Sequence, residues 1–320
     1  MLTISWRHLI CAVLFGWMLS TLGAQEASMG PEEVFGPYRA VQTQEEYEYY
    51  LRENRETPDL VIYLEGSGLQ SVLGTKKEGR WASATFAYFL TMNFMNSASL
   101  CVPQKPGMEL GMVHHDDAKV LHAYTAENLL TVYARCIDDA LERESYRHVI
   151  IIGGSEGGYL LPGVYQALTH KEDVDGLVVL GAGAWNQKES LLHLSQSPLP
   201  MEEGYRQELR RIDELIPQIL AQPESIEEWY LGWPYRRWSS FFEWTPQNAL
   251  EGIETPMLYL QGVLDISNPM ESVKAVEAME KKNITVQYFP NMGHTPQNPQ
   301  QMAEIFEAID LWMPTLREDG

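Results

Sequence analysis

His148-Val-Ile-Ile-Ile-Gly-Gly-Ser155-Glu-Gly-Gly158 joins an unbroken apolar run to a glycine-rich turn around one serine. A helical pattern follows from Tyr159. A short apolar run closed by turn residues is the pattern of a strand buried on both faces of a parallel sheet. A sharp strand-to-helix turn lifts a serine above such a sheet, and small neighbours let the two backbones approach. That context makes Ser155 a candidate nucleophile, although Gly-x-Ser-x-Gly by itself also describes a turn without chemistry. A phosphate loop is excluded, because the P-loop lysine is missing and Gly-x-Gly-x-x-Gly is not matched.

Outward from this stretch, β-rich runs alternate with helical patterns from residue 60 onward. Strands are expected at Leu60–Leu64, Ser99–Val102, His148–Ile152, Leu177–Leu180, Met257–Leu260 and Ile284–Phe289. Helices are expected at Trp81–Phe94, Ala126–Arg143, Tyr159–Thr169, Pro269–Lys281 and Pro299–Trp312. This alternation predicts an α/β class: a mostly parallel sheet with helices on both faces. Residues 185–250 are too long for a plain crossover and hold five of the nine tryptophans. Within them, Arg206–Leu220 carries Leu209, Ile212, Leu215, Ile216 and Ile219 at helical spacing. The segment reads as a helical cap inserted after the sixth strand position, with the core made of residues 25–184 and 251–320.

A serine hydroxyl needs an adjacent base to become a nucleophile. In this architecture an acid and then a histidine follow the serine, each after a later strand. Asp265 closes Met257-Leu-Tyr-Leu-Gln-Gly-Val-Leu-Asp, and His294 closes Tyr288-Phe-Pro-Asn-Met-Gly-His. His294 is the expected base, and Asp265 the carboxylate that orients it. Alone, the first also reads as a turn-capping carboxylate and the second as a loop histidine. Acyl transfer further needs donors for a developing oxyanion. The N–H of Glu156 is one candidate. The loop Tyr63-Leu-Glu-Gly-Ser-Gly68 offers Gly66 and Ser67, with the Ser67 N–H preferred.

The order Leu-Glu-Gly-Ser-Gly, Gln104-Lys-Pro-Gly107, Gly-Gly-Ser-Glu-Gly-Gly, Gly-x-x-Asp and Gly-His resembles the α/β-hydrolase superfamily over nearly all of the chain from residue 60. The doubled glycine after the serine is similar to the prolyl oligopeptidase and dienelactone hydrolase branches. The resemblance implies a serine hydrolase with Ser155, Asp265 and His294 as its triad. The familiar His-Gly of the oxyanion loop is Glu65-Gly66 here. Before residue 60 there is no room for a propeller and little for two antiparallel edge strands.

Forty-four acidic against 23 basic side chains give a formal charge of −21. Such a surface repels nucleic-acid phosphates and anionic membranes, which excludes both as expected partners. Arg7-His8, the apolar Leu9–Leu19 and the small residues up to Ala24 read as a secretory signal over residues 1–24, or else as an uncleaved N-terminal anchor. Cleavage there leaves an exported (periplasmic or secreted) protein without stable membrane insertion. It also leaves two cysteines, Cys101 and Cys136, as either one bridge or two buried thiols.

The His114-His115-Asp116-Asp117 run is a solvated loop rather than a metal site, because consecutive side chains diverge. Trp185, Trp233 and Trp238, with Glu65, are candidate pocket residues; the tryptophans serve equally as packing. Arg236-Arg237 reads as a substrate-carboxylate contact or as exposed cap surface. Glu156 reads as a helix-start acid or as an amine contact. The leading expectation is a small ester or related acyl substrate, with neither metal nor organic cofactor. A peptidase or amidase for short peptides and a thioesterase use the same chemistry, while a non-catalytic hydrolase-like binding protein would keep only the fold. The sequence leaves the oligomeric state open.

Overall fold

The computed structural model describes residues 38–313 and 316, except 78, 79 and 84; the expected signal segment lies outside them. Eight strands form one sheet: β1 (Arg39–Gln42), β2 (Glu48–Arg52), β3 (Asp59–Leu64), β4 (Ser99–Pro103), β5 (His148–Gly154), β6 (Gly176–Leu180), β7 (Met257–Gly262) and β8 (Ile284–Phe289). Their spatial order is β1-β2-β4-β3-β5-β6-β7-β8. From β4 to β8 neighbouring strands run parallel, with Leu64 opposite Gly153 and Ile152 opposite Val178.

The helices are α1 (Phe86–Phe94), α2 (Ala118–Ala123), α3 (Ala126–Arg143), α4 (Glu156–Ala167), α5 (Gln187–Ser195), α6 (Glu203–Arg210), α7 (Ile212–Ala221), α8 (Tyr235–Glu243), α9 (Pro246–Leu250), α10 (Met270–Glu277) and α11 (Pro299–Trp312). Alternate strand residues face opposite layers. Ile151, Leu177, Val179 and Tyr259 join one apolar cluster with Leu129 and Tyr133 of α3 and Leu160 and Val164 of α4. Ile150, Ile152, Val178 and Leu260 join the other with Leu90 and Phe94 of α1 and Ile305 and Ile309 of α11. Burial on both faces is why the central strands read as continuous apolar runs.

Helices α5 to α9 and a small hairpin pairing Tyr230 with Trp233 lie between β6 and β7, so a helical insertion follows the sixth strand. Its Leu209, Ile212, Leu215, Ile219 and Phe241 belong to the same apolar cluster as α3 and α4.

Three expectations need correction. The region before residue 60 does hold two antiparallel edge strands, because a turn at Thr43–Tyr47 folds β1 onto β2 and β2 pairs with β4. The helix expected from Trp81 begins at Phe86; residues 75–77 and 80–83 instead form a hairpin, and the Thr85 hydroxyl donates to the Val72 carbonyl, holding the chain extended up to the helix start. The expected helix Arg206–Leu220 is divided at Arg211 (φ −80°, ψ −6°) into α6 and α7. Cys101 and Cys136 are buried free thiols, and burial pushes both pKa values up. Among the described residues, no helix is long and apolar enough to cross a membrane.

The turn after β5 is among the tightest points of the fold. A Cβ on Gly157 would run into the carbonyl of Leu64, and one on Gly153 would lie 2.6 Å from the Gly157 carbonyl oxygen. Gly157→Ala is therefore expected to destabilise the protein by about 1–3 kcal/mol. A thermal or urea melt that does not move would refute this contact.

Candidate active site

Ser155 stands between β5 and α4 with φ 50° and ψ −115°, a left-handed conformation that costs a non-glycine residue about 1–3 kcal/mol. The surroundings enforce it. Its N–H donates to the Leu180 carbonyl and its own carbonyl accepts from the Tyr159 N–H. The hydroxyl is thereby held at the C-terminal edge of the parallel strands, where the loops after β7 and β8 also arrive.

The structure brings Ser155, His294 and Asp265 together. His294 Nε2 is 2.8 Å from Ser155 Oγ, and its Nδ1 is 2.8 Å from Asp265 Oδ2. Asp265 is 1% exposed and caged. The N–H groups of Ser267 and Asn268 donate to its Oδ1 at 2.7 and 2.9 Å, and Gln261 Nε2 donates to its Oδ2 at 3.0 Å. Asn268 Nδ2 donates in turn to Gln261 Oε1 at 2.8 Å, which fixes the amide orientation. Burial pulls the His294 pKa down, but the charge and hydrogen bond of Asp265 outweigh it, and the value ends above that of an ordinary imidazole. An imidazole held this way can take a proton from the serine hydroxyl while the carboxylate stabilises the resulting cation.

The loop after β3 lies beside the serine: a Cβ on Gly66 would be 3.3 Å from Ser155 Cβ. The Gly66 N–H is not free for an oxyanion, because Glu65 Oε1 accepts it at 2.9 Å. Of the three residues expected to form that hole, Glu156 and Ser67 keep N–H groups that donate no hydrogen bond among the described residues. Gly66 serves by its lack of a side chain. Glu65 is buried rather than lining an open pocket, and burial pushes its carboxyl up against the opposing pull of Lys105 and the Gly66 N–H.

Glu156 is the first residue of α4, as the helix-start reading expects, and its carboxylate is engaged within the protein. Its carboxylate is 3% exposed and accepts from Arg237 Nη2 and Nε at 2.5 and 3.2 Å and from the Tyr124 hydroxyl at 2.5 Å. Arg237, read as exposed cap surface or as a substrate contact, is 2% exposed. Its guanidinium lies 4.1–4.7 Å from the ring centres of Trp233, Trp238 and Phe241 and also donates to Gln187 Oε1. Trp233 and Trp238 are thus packing partners of a buried cation. Trp185 is half-buried against His193. Sequence reasoning singled out Arg237 without its buried role and missed Tyr124, Lys105, Gln261 and Asn268; for Arg237 a signal existed, since it stands four residues before Phe241 on the apolar side of α8. His114 is buried, and its Nε2 accepts from the Glu109 N–H.

No protein-family model matches the chain, and no curated protein does. Solved structures do. The acylaminoacyl peptidase of Pyrococcus horikoshii superposes with a TM-score of 0.55 at 12% identity, over 85% of this chain and 40% of that one. An esterase from Exiguobacterium antarcticum gives 0.54 at 15% identity, covering 86% and 99%. Est1E from Butyrivibrio proteoclasticus, solved with ferulic acid bound, gives 0.56 at 14%, covering 88% and 99%. The chain has the α/β-hydrolase fold. It spans 40% of the length of the peptidase but almost the whole length of the two esterases.

Within this α/β-hydrolase fold, Glu156–Arg237 ties the inserted helices to the turn that carries Ser155. Arg237→Met leaves a buried carboxylate without its cation and is expected to cost about 3–5 kcal/mol. The double variant Arg237→Met/Glu156→Gln should recover much of that loss; equal melts for the single and double variants would show that the pair carries no coupling. By NMR, the His294 ring should titrate above an ordinary imidazole and fall in Asp265→Asn, with no change if the carboxylate is not its partner.

Proposed function

We propose that this chain is an exported serine hydrolase that cleaves a small ester or related acyl substrate. Ser155 Oγ attacks the acyl carbonyl as His294 Nε2 accepts its proton, and the N–H groups of Ser67 and Glu156 receive the carbonyl oxygen as it becomes an oxyanion. His294 then donates that proton to the leaving alcohol. Water, deprotonated by the same imidazole, attacks the acyl-enzyme, and its collapse returns the Ser155 hydroxyl. Asp265 holds the imidazole and stabilises its cationic form throughout.

The single observation that carries this reading is the chain of two 2.8 Å hydrogen bonds from Asp265 through His294 to Ser155. Support for an ester substrate comes from the esterases whose whole length this chain matches. Support for export comes from the apolar Leu9–Leu19 stretch ahead of small residues. A peptidase reading rests on the acylaminoacyl peptidase among the structural neighbours.

A fluorophosphonate should label Ser155 in the folded protein, and absence of that adduct overturns the serine-hydrolase reading. Ser155→Ala, His294→Ala and Asp265→Asn should each lower kcat by about 10⁴-fold or more without a comparable loss of stability. Because the base must be neutral, kcat/KM should fall as pH drops through the raised His294 pKa, so the acid limb lies above that of an ordinary histidine. Turnover of p-nitrophenyl esters should exceed that of aminoacyl p-nitroanilides; the reverse would favour a peptidase.

A further inference from the structure

Lys105 follows β4 and is 2% exposed. Its Nζ donates to the carbonyls of Gly66 (2.5 Å) and Gly68 (3.0 Å) and stands 5.6 Å from the centre of the Tyr124 ring. These two carbonyls flank Ser67. In a trans peptide the C=O and the following N–H point in opposite directions, and the described chain contains no cis bond. A Gly66 carbonyl held on Lys105 therefore turns the Ser67 N–H away from the lysine. Gly66 itself lies against the nucleophile, since a Cβ there would be 3.9 Å from Ser155 Oγ. Its N–H is held by Glu65 Oε1. Both peptide planes of Gly66 are thus fixed, one by the Glu65 carboxyl and one by the Lys105 ammonium.

We infer that Lys105 is a positioning residue for the oxyanion hole: it holds the Gly66–Ser67 peptide with the Ser67 N–H toward Ser155 and polarises that peptide. The inference rests on the serine-hydrolase reading. An ammonium has three donors on a flexible stem, so one side chain can hold two carbonyls at once. Hydrogen bonds in series strengthen one another, so a Gly66 oxygen bonded to a cation makes the Ser67 N–H a better donor to a negative oxygen. The gain grows as charge develops on the substrate, which assigns the effect to the transition state rather than to substrate binding. Burial holds the Lys105 pKa below that of an ordinary lysine, and the charges of Glu156 and Glu65 offset only part of that. No bond forms or breaks at the lysine.

The test compares the wild-type protein with Lys105→Met and Lys105→Gln, using p-nitrophenyl acetate and phenylboronic acid, which becomes tetrahedral on an active serine. Lys105→Met should lower kcat by about 10²-fold while KM stays within about threefold. Its boronic-acid affinity should fall by a factor similar to that in kcat/KM, and Lys105→Gln, with fewer donors, should lie between. A folded Lys105→Met with wild-type kcat overturns the inference, as does a loss confined to KM with unchanged boronic-acid affinity. Fluorophosphonate labelling of the wild type separates the two levels. A Ser155 adduct with an unaffected Lys105→Met defeats only the role of Lys105, whereas no adduct defeats the nucleophile reading and this inference with it. If neither variant folds, the wild-type Ser67 amide proton decides: it should move downfield when the boronic acid binds, and an unmoved resonance overturns the inference.

Discussion

Gly157 packs so closely on the last residue of β3 that a single carbon added to it would meet the Leu64 carbonyl. Much of the site depends on that approach. It brings the start of α4 down onto the sheet, which forces the chain to reverse within one residue and leaves Ser155 in a left-handed conformation. It also sets the end of β3 beside the serine, so the Glu65–Gly68 loop begins within reach of Ser155. Ser155 and the Glu65–Gly68 loop are thereby located by one backbone contact between α4 and β3, with no side chain in between.

A second constraint joins the inserted helices to this point. Taking Glu156 and Arg237 out of water is costly for each, and their hydrogen bonds with Tyr124 and Gln187 offset that cost only in one arrangement. The pair contributes definition more than net stability. α8 must sit where the guanidinium meets the first residue of α4, and Trp233, Trp238 and Phe241 close around it. The insertion is therefore referenced to the residue beside Ser155.

The central strands are legible in the sequence because both of their faces are buried, so β3 to β7 show as apolar runs. Asp265 and His294 are legible for a related reason: each ends such a run or the loop after it, in the order this architecture requires. The edge hairpin β1–β2 is harder to see. One strand is largely exposed and both are short, so little apolar periodicity marks them. The buried polar groups are hidden more deeply. Arg237 and Lys105 look like surface cations until their partners are known, and those lie 81 and 39 residues away. Pattern reading weighs a residue by its neighbours in the chain, whereas a buried charge is explained only by its neighbours in space.

Cys101 lies on β4, opposite Leu51 of β2, and Cys136 is buried in α3 against the Glu48 carbonyl. Both thiols are shielded, and burial disfavours their thiolate forms, which are the reactive ones. Among the described residues, then, neither cysteine is cross-linked and neither presents an exposed thiolate, so the packing of this core rests on apolar contacts rather than on a covalent staple.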